Sequence, residues 1–372
     1  MNNMKVTLPD RLVSLDLFRG LTMFLLIAET TFLYDVLLKL MPAGTFGHGL
    51  VEQFHHHPWN GLRFWDLVQP YFMFIVGVAM VFSVASRQAQ GDSWNRITFH
   101  MVRRSIVLLL LGVGLHCGYN QRLVWELWNV LTQLAFTTLI AFAIIRFSMM
   151  RQLLISFIIL LIYESLFRFW SVAGYDQPFV MDHNFGTWMD QLLMGKINPG
   201  GGWITINFIS TAAHTIWGVL AGMVLRSEKT ALQKLRILVI AGMVGLVIGY
   251  GLDWSGVTPI IKRICTTSFV IVSGGWCLLT LALFYWLVDM RRIRKGVWIF
   301  IIVGMNPIFI YIFGQTLGMA WFNGFVAIFT HGVFGWFAIP ETGLELLNSL
   351  VVLALEWSLC YWLYQRRIFF KI

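Results

Sequence analysis

The sequence predicts an all-α, polytopic membrane protein of about ten transmembrane helices, with both termini cytoplasmic and a single domain over residues 1–372. Three observations predict it: a composition too apolar for water, apolar runs long enough to cross a bilayer, and basic residues gathered at alternate ends of those runs. Of the 372 residues, 58% are hydrophobic and 12% charged, against about 45–50% and about 25% in a soluble globular domain. The main solvent of such a chain is lipid.

The opening MNNMKVTLPDRLVSLD is too polar for a cleaved signal peptide, so the first apolar run is expected to stay as an anchor. A span needs about 20 apolar residues. On that rule helices fall near 14–38, 62–86, 104–119, 126–147, 152–172, 205–225, 236–252, 264–288, 297–316 and 344–364. The segment 317–343 is apolar but broken by Gly, His and Pro, and reads as an interfacial or re-entrant piece. The longest connection, 173–204, carries Asp182, His183, Asp190 and the run NPGGGW, a polar platform on the outer side.

Charge fixes the orientation. Lys5 and Arg11; Arg87, Arg96, Arg103 and Arg104; Arg146 and Arg151; Arg226, Lys229, Lys234 and Arg236; Arg291, Arg292, Arg294 and Lys295; and Arg366, Arg367 and Lys371 all fall on one side. These are 19 of the 27 basic residues, and the positive-inside rule makes that side the cytoplasm of a multi-pass membrane protein. The same pattern explains the net charge of +9 without nucleic acid. Cys117, Cys265, Cys277 and Cys360 stand singly in apolar runs, with no spacing suited to zinc, and no metal is expected.

Ionisable residues at membrane depth are costly, which makes them functional candidates. The densest group is FHHHPWNGLRFWDLVQP, residues 54–70, with three histidines and, ten residues after His56, the carboxylate of Asp66. Pro70 is expected to kink that helix. An imidazole next to a carboxylate can take a proton from an attacking amine or can itself carry an acyl group, and the spacing does not separate the two. The plainer reading of the triplet is an interfacial or metal-binding patch, and of Asp66 a packing hydrogen bond. Asp16 and Arg19, spaced i, i+3, read most simply as a structural ion pair. Glu29, Glu126, Glu164 and Glu356 read as polar contacts within the bundle, and His116 and His214 as satisfied bundle residues.

RLVSLDLFRGLTMFLLI (11–27) followed by HHPWNGLRFWDLVQPYFMFIVGVAM (56–80) resembles the opening of heparan-α-glucosaminide N-acetyltransferase and its bacterial NagX-type transmembrane acyltransferase relatives. TPIIKRICTTSFVIVSGGW (258–276) and VGMNPIFIYI (303–312) are similar to two later segments of that family. The resemblance implies a transferase that takes acetyl-CoA as cosubstrate from the cytoplasmic side and acetylates the amino group of a glucosamine-type sugar outside. It implies His56 as the catalytic histidine, with Asp66 orienting it, and Asp16, Arg19, Trp59, Asn60, Lys262, Ser268 and Asn306 as candidates for binding substrate or donor. Two departures stand out: Glu29-Thr30 where the family commonly has Val-Asn, and Asn129-Val130-Leu131-Thr132-Gln133 where it has an arginine-bearing run. The missing arginine leaves donor phosphates to other bases, with Arg103 or Arg104 as candidates. The copy number, a homodimer included, stays open. The competing class is a proton-coupled sugar or small-solute transporter using Glu29, Asp66 and Glu126, although the two related halves of such folds are not visible here.

Overall fold

The computed structural model describes residues 12–370. Lys5, Arg11 and Lys371 of the basic clusters lie outside the described residues. The chain runs as α1 (Val13–Thr30), α2 (Leu33–Leu40), α3 (Phe46–Glu52), α4 (Val68–Ala89), α5 (Trp94–Asn120), α6 (Val130–Ile144), α7 (Met149–Phe169) and α8 (Phe185–Met194). It continues as α9 (Asn207–Arg226), α10 (Ala231–Trp254), α11 (Thr267–Phe284), α12 (Val297–Gly304), α13 (Pro307–Phe313), α14 (Asn323–Phe334) and α15 (Glu341–Gln365). Among the described residues the only extended pairing is an isolated bridge between Asn60 and Ile261.

An all-helical solution is what lipid demands, because a helix satisfies its own backbone where no water can. Polar caps mark where several helices begin: the Ser93 hydroxyl accepts the Arg96 N–H, Asn129 accepts from Leu131 and Thr132, and Thr230 forms a capping box with Gln233. Among the described residues eight helices are long and apolar enough to cross a membrane, and the pair α1 and α2, bent by 66°, would make a ninth. Helix α6 is a shorter apolar helix lying among them.

Glycine governs the tightest crossings. A Cβ on Gly77 of α4 would overlap the Thr215 carbonyl oxygen of α9, and one on Gly218 of α9 would overlap the Phe74 carbonyl oxygen. Gly20 of α1 faces the Phe300 carbonyl of α12 in the same way, and Gly304 closes on Gly20. In lipid, where burying apolar surface between helices gains little, such backbone approach supplies the packing.

The expected elements differ in three places. The run 14–38 is not one rod: Phe32 sits in the left-handed region (φ 60) and breaks α1 from α2, just after Thr30 and Thr31 turn their hydroxyls back on the Ile27 and Ala28 carbonyls. Pro70 does not kink α4, because it stands in the first turn, where its missing N–H has no intrahelical partner to lose. The expected helix 297–316 is interrupted at Met305–Asn306, and from Pro307 the chain stays helical to Phe337 through a π-helical stretch Gly314–Phe322. Tolerated π-bulges explain how a Gly-rich segment that reads as broken keeps its helix.

Candidate functional site

The short 3-10 turn Phe64–Leu67 carries Asp66 into the protein, where it is fully buried. Its Oδ2 accepts the backbone N–H of Arg63 (2.9 Å) and of His57 (3.2 Å). That leaves Oδ1 for the imidazole: His56 Nδ1 lies 3.0 Å away. The glycine of the same motif is structural, because Gly61 has φ 144 and a Cβ there would strike the His57 ring. His55 turns away to Asp35 at 3.2 Å.

A second loop brings a cation to the pair. Between α10 and α11, Thr266 donates to the Pro259 carbonyl (2.7 Å) and accepts the Ile261 N–H (3.0 Å), while Ser268 donates to the same Pro259 carbonyl (2.8 Å). Gly61 N–H donates to Ile260 O at 2.8 Å, tying this loop to the histidine loop. The result sets Lys262 Nζ 2.9 Å from His56 Nδ1 and 3.6 Å from Asp66 Oδ1. Trp203 covers the group, with its ring 5.3 Å from Lys262 Nζ and edge-on to His56 at 5.5 Å.

These groups open on a cavity of about 370 Å³ lined also by Glu29, Gln69, Gln133 and His116. The His56 side chain keeps 37% of its surface exposed, and its Nε2 has no partner among the described residues. Burial by the surrounding residues pushes the imidazole pKa down to about 4; the Lys262 ammonium pushes the same way and the Asp66 bond opposes both. Burial likewise lowers Lys262, against the upward pull of Asp66. The ring is therefore neutral at physiological pH, with Nε2 able to accept a proton.

A second polar group stands on the rim. His116 Nδ1 is 2.6 Å from Glu126 Oε2, Lys196 Nζ is 2.6 Å from Glu126 Oε1, and Asn120 donates to Glu126 at 3.1 Å. Burial would raise the Glu126 carboxyl, but the bonds from Lys196 and His116 hold it below the usual range. His116 was expected to be a bundle residue, and the folding of residues 121–129 over the end of α5 makes it a cavity wall.

A smaller cavity of about 110 Å³ adjoins the first, and the two share Phe72, Val130 and Tyr311 in their linings. Arg19 and Arg104 face into it, each with its Nε buried and unpartnered. Arg19 also pairs with Asp16, as the i, i+3 spacing predicts.

Of the candidates read from sequence, His56, Asp66 and Lys262 are brought together, and Arg19 faces the second cavity. The others are engaged elsewhere. Trp59 Nε1 donates to Phe179 O (2.8 Å), Asn60 pairs with Ile261 through its backbone, and Ser268 braces the Lys262 loop. Asn306 donates to Ile368 O and accepts the Phe370 N–H, both at 2.9 Å, pinning the C-terminal segment. None of these four side chains lines either cavity. Gln69 and Trp203 were not singled out in the sequence, where their one signal is polarity or an indole within an apolar run; His116 read as a bundle residue, Gln133 only as part of a departure from the family pattern, and Glu29 as a bundle contact, a departure from that pattern and a group of the transporter reading.

No family model matches the chain. Over 436 residues it is 25% identical to the heparan-alpha-glucosaminide N-acetyltransferase of Mus musculus, an alignment that covers 98% of this chain and 61% of the mouse protein. The chain is thus similar, at low identity and over nearly its whole length, to a heparan-alpha-glucosaminide N-acetyltransferase. With the Homo sapiens protein of the same name it shares 33% identity over 106 residues, 28% of this chain and 14% of that protein. The chain spans about three-fifths of the length of the mouse protein, and the similarity extends over almost all of its own helices.

Proposed function

We propose that the chain is a multi-pass membrane acetyltransferase that passes an acetyl group from cytoplasmic acetyl-CoA to the amino group of a glucosamine-type sugar on the outer face. The observation that carries this reading is the His56 imidazole, held through Nδ1 by a buried carboxylate and turning Nε2 into a cavity that a second, arginine-lined cavity adjoins. The two linings share Phe72, Val130 and Tyr311, and a passage opened at that seam would give a slender pantetheine arm a route along the bundle. The Arg19 and Arg104 guanidiniums, both with donors to spare, would meet the phosphates of the nucleotide end.

At the reacting end the amine nitrogen attacks the thioester carbon. The C–N bond forms, the C–S bond breaks, and His56 Nε2 takes the amine proton and returns it to the leaving thiolate. Asp66 fixes the ring and stabilises the imidazolium that forms. The Lys262 ammonium opposes the negative charge that grows on the acyl oxygen. Alternatively Nε2 attacks the thioester first and carries the acetyl group to the amine. The charge pattern supports the orientation, since it places the histidine loop outside. An inner-membrane location in a bacterium accords with that orientation.

The test is incubation of the purified chain with labelled acetyl-CoA and glucosamine. N-acetylglucosamine should form, and His56→Ala should abolish it; full activity in His56→Ala rejects the assignment. Acceptor-dependent release of CoA separates this reading from a solute transporter, which would move sugar into vesicles without any acyl donor.

A further inference from the structure

We propose that Glu29 is the receiving site for a cationic acceptor: its carboxylate binds the ammonium of the incoming amino sugar and takes the first proton from it. The inference rests on the acetyltransferase reading and adds the part of the reaction that His56 alone leaves open. An amino sugar arrives protonated, so it must shed one proton before its nitrogen can attack and a second as the amide forms.

Glu29 lies in the last turn of α1, where the helix dipole disfavours a negative charge and the turn itself holds no basic residue; the cation of the cavity, Lys262, is shared with Asp66. Its Oε1 accepts the Trp65 indole N–H at 3.0 Å, and its other oxygen has no partner among the described residues. That carboxylate lines the same cavity as His56. Trp65 belongs to the turn that carries Asp66, so one rigid element sets both carboxylates. A carboxyl group at membrane depth, on the unfavourable end of a helix and without an ion pair among the described residues, is arranged for a cation that comes and goes. The other titratable groups lining the cavity are Lys262, His56, His116, Tyr119 and Tyr311. Asp35, on the neighbouring α2, is taken up by His55. Glu29 is therefore the one carboxylate in the cavity lining, Asp66 and Glu126 standing behind their histidines.

The protons balance. Glu29 and the sugar ammonium become a carboxyl and a free amine. The amine attacks, His56 carries its remaining labile proton to the thiolate, and Glu29 returns its proton to outer water when the amide leaves.

The experiment uses the full chain in lipid nanodiscs, with acetyl-CoA and glucosamine, over a range of pH. Glu29→Gln keeps the Trp65 bond. It should raise the glucosamine KM about 30-fold near pH 6.5, within the range expected for losing a hydrogen bond to a charged group. The acetyl-CoA KM should move far less. The deficit should shrink as pH rises and the amine loses its proton unaided, and Glu29→Asp should recover part of it. On the wild type, a trimethylammonium analogue of glucosamine should compete with the acceptor about tenfold better than glucose does. A deficit equal at all pH values, or shared equally by donor and acceptor, overturns the proposal, as does parity between the two competitors. A wild type that makes no product from glucosamine at any pH refutes the transferase reading itself, a separate result.

Discussion

The Lys262 ammonium lies 2.9 Å from His56 Nδ1, the same nitrogen that faces Asp66 Oδ1 at 3.0 Å. One ring nitrogen cannot satisfy both. Paired with Asp66, which can only accept, Nδ1 carries the proton and Nε2 presents a lone pair to the cavity. Paired with Lys262, Nδ1 becomes the acceptor, the proton moves to Nε2, and the base is lost. Asp66→Asn tips the contest toward Lys262. Turnover of acetyl-CoA and glucosamine should fall about 10²–10⁴-fold, the range of a positioned general base. Near-normal turnover in a monodisperse Asp66→Asn protein would remove Asp66 from the mechanism.

The same contact sets a pH dependence. Burial and then Lys262 hold the His56 imidazole near 4, well below its ordinary 6.5, so the ring stays a base until the pH falls toward that value. Removing the cation in Lys262→Met takes away a positive charge that disfavours the imidazolium, so the pKa rises and the base is protonated at higher pH. Inactivation by diethyl pyrocarbonate, which requires the neutral ring and should be blocked by acetyl-CoA, reads this directly. The midpoint is expected near pH 4 in the wild type and higher in Lys262→Met. An unmoved or lower midpoint contradicts the electrostatic coupling.

Arg104 provides a test at the far end of the route. Its Nε is buried without a partner, and it shares the smaller cavity with Arg19, so two like charges face one apolar space. If donor phosphates are what they meet, Arg104→Gln should raise the acetyl-CoA KM about tenfold or more, the loss of one charge-assisted contact, with the glucosamine KM little changed. Equal effects on both substrates would place Arg104 in the packing instead.

Much of this arrangement was legible in the sequence, and what was missed has a physical cause. Ten residues separate His56 from Asp66, and a histidine loop followed by a helical turn brings them together without help from the rest of the chain, so local sequence sufficed. Lys262 lies 206 residues from His56. Only the family resemblance marked it, because no local pattern reports which distant loop will fold across a site. Asn306 and Ser268 were expected near substrate on the same ground, and both instead tie down backbone, a role that motif similarity does not distinguish from contact with ligand. Glu29 and His116 read as bundle residues because hydropathy gives depth in the membrane but not which way a helix is rotated. The bend at Phe32 was invisible for a related reason: nothing in an apolar run marks a non-glycine residue that takes a left-handed conformation.

The close crossing of α4 and α9 carries the last expectation. Gly77 and Gly218 bring the two backbones together, each occupying space beside a carbonyl of the other helix. A side chain at Gly77 meets backbone, which cannot rotate aside, so the helices must separate. Helix α4 begins directly after the turn that holds Asp66, and α9 begins with Asn207, whose Oδ1 accepts a 2.8 Å bond from Gln133 of the cavity wall. Gly77→Leu should therefore cost about 3 kcal/mol or more through overpacking and displace the site as well. The thermal midpoint followed by tryptophan fluorescence should drop by several degrees, and turnover should fall even at temperatures where the variant remains folded. Gly114→Leu, at a position where an added Cβ meets nothing within 4 Å, is the control and should leave the midpoint nearly unchanged. Equal midpoints for the two variants would show that the α4–α9 contact is looser than these backbones require.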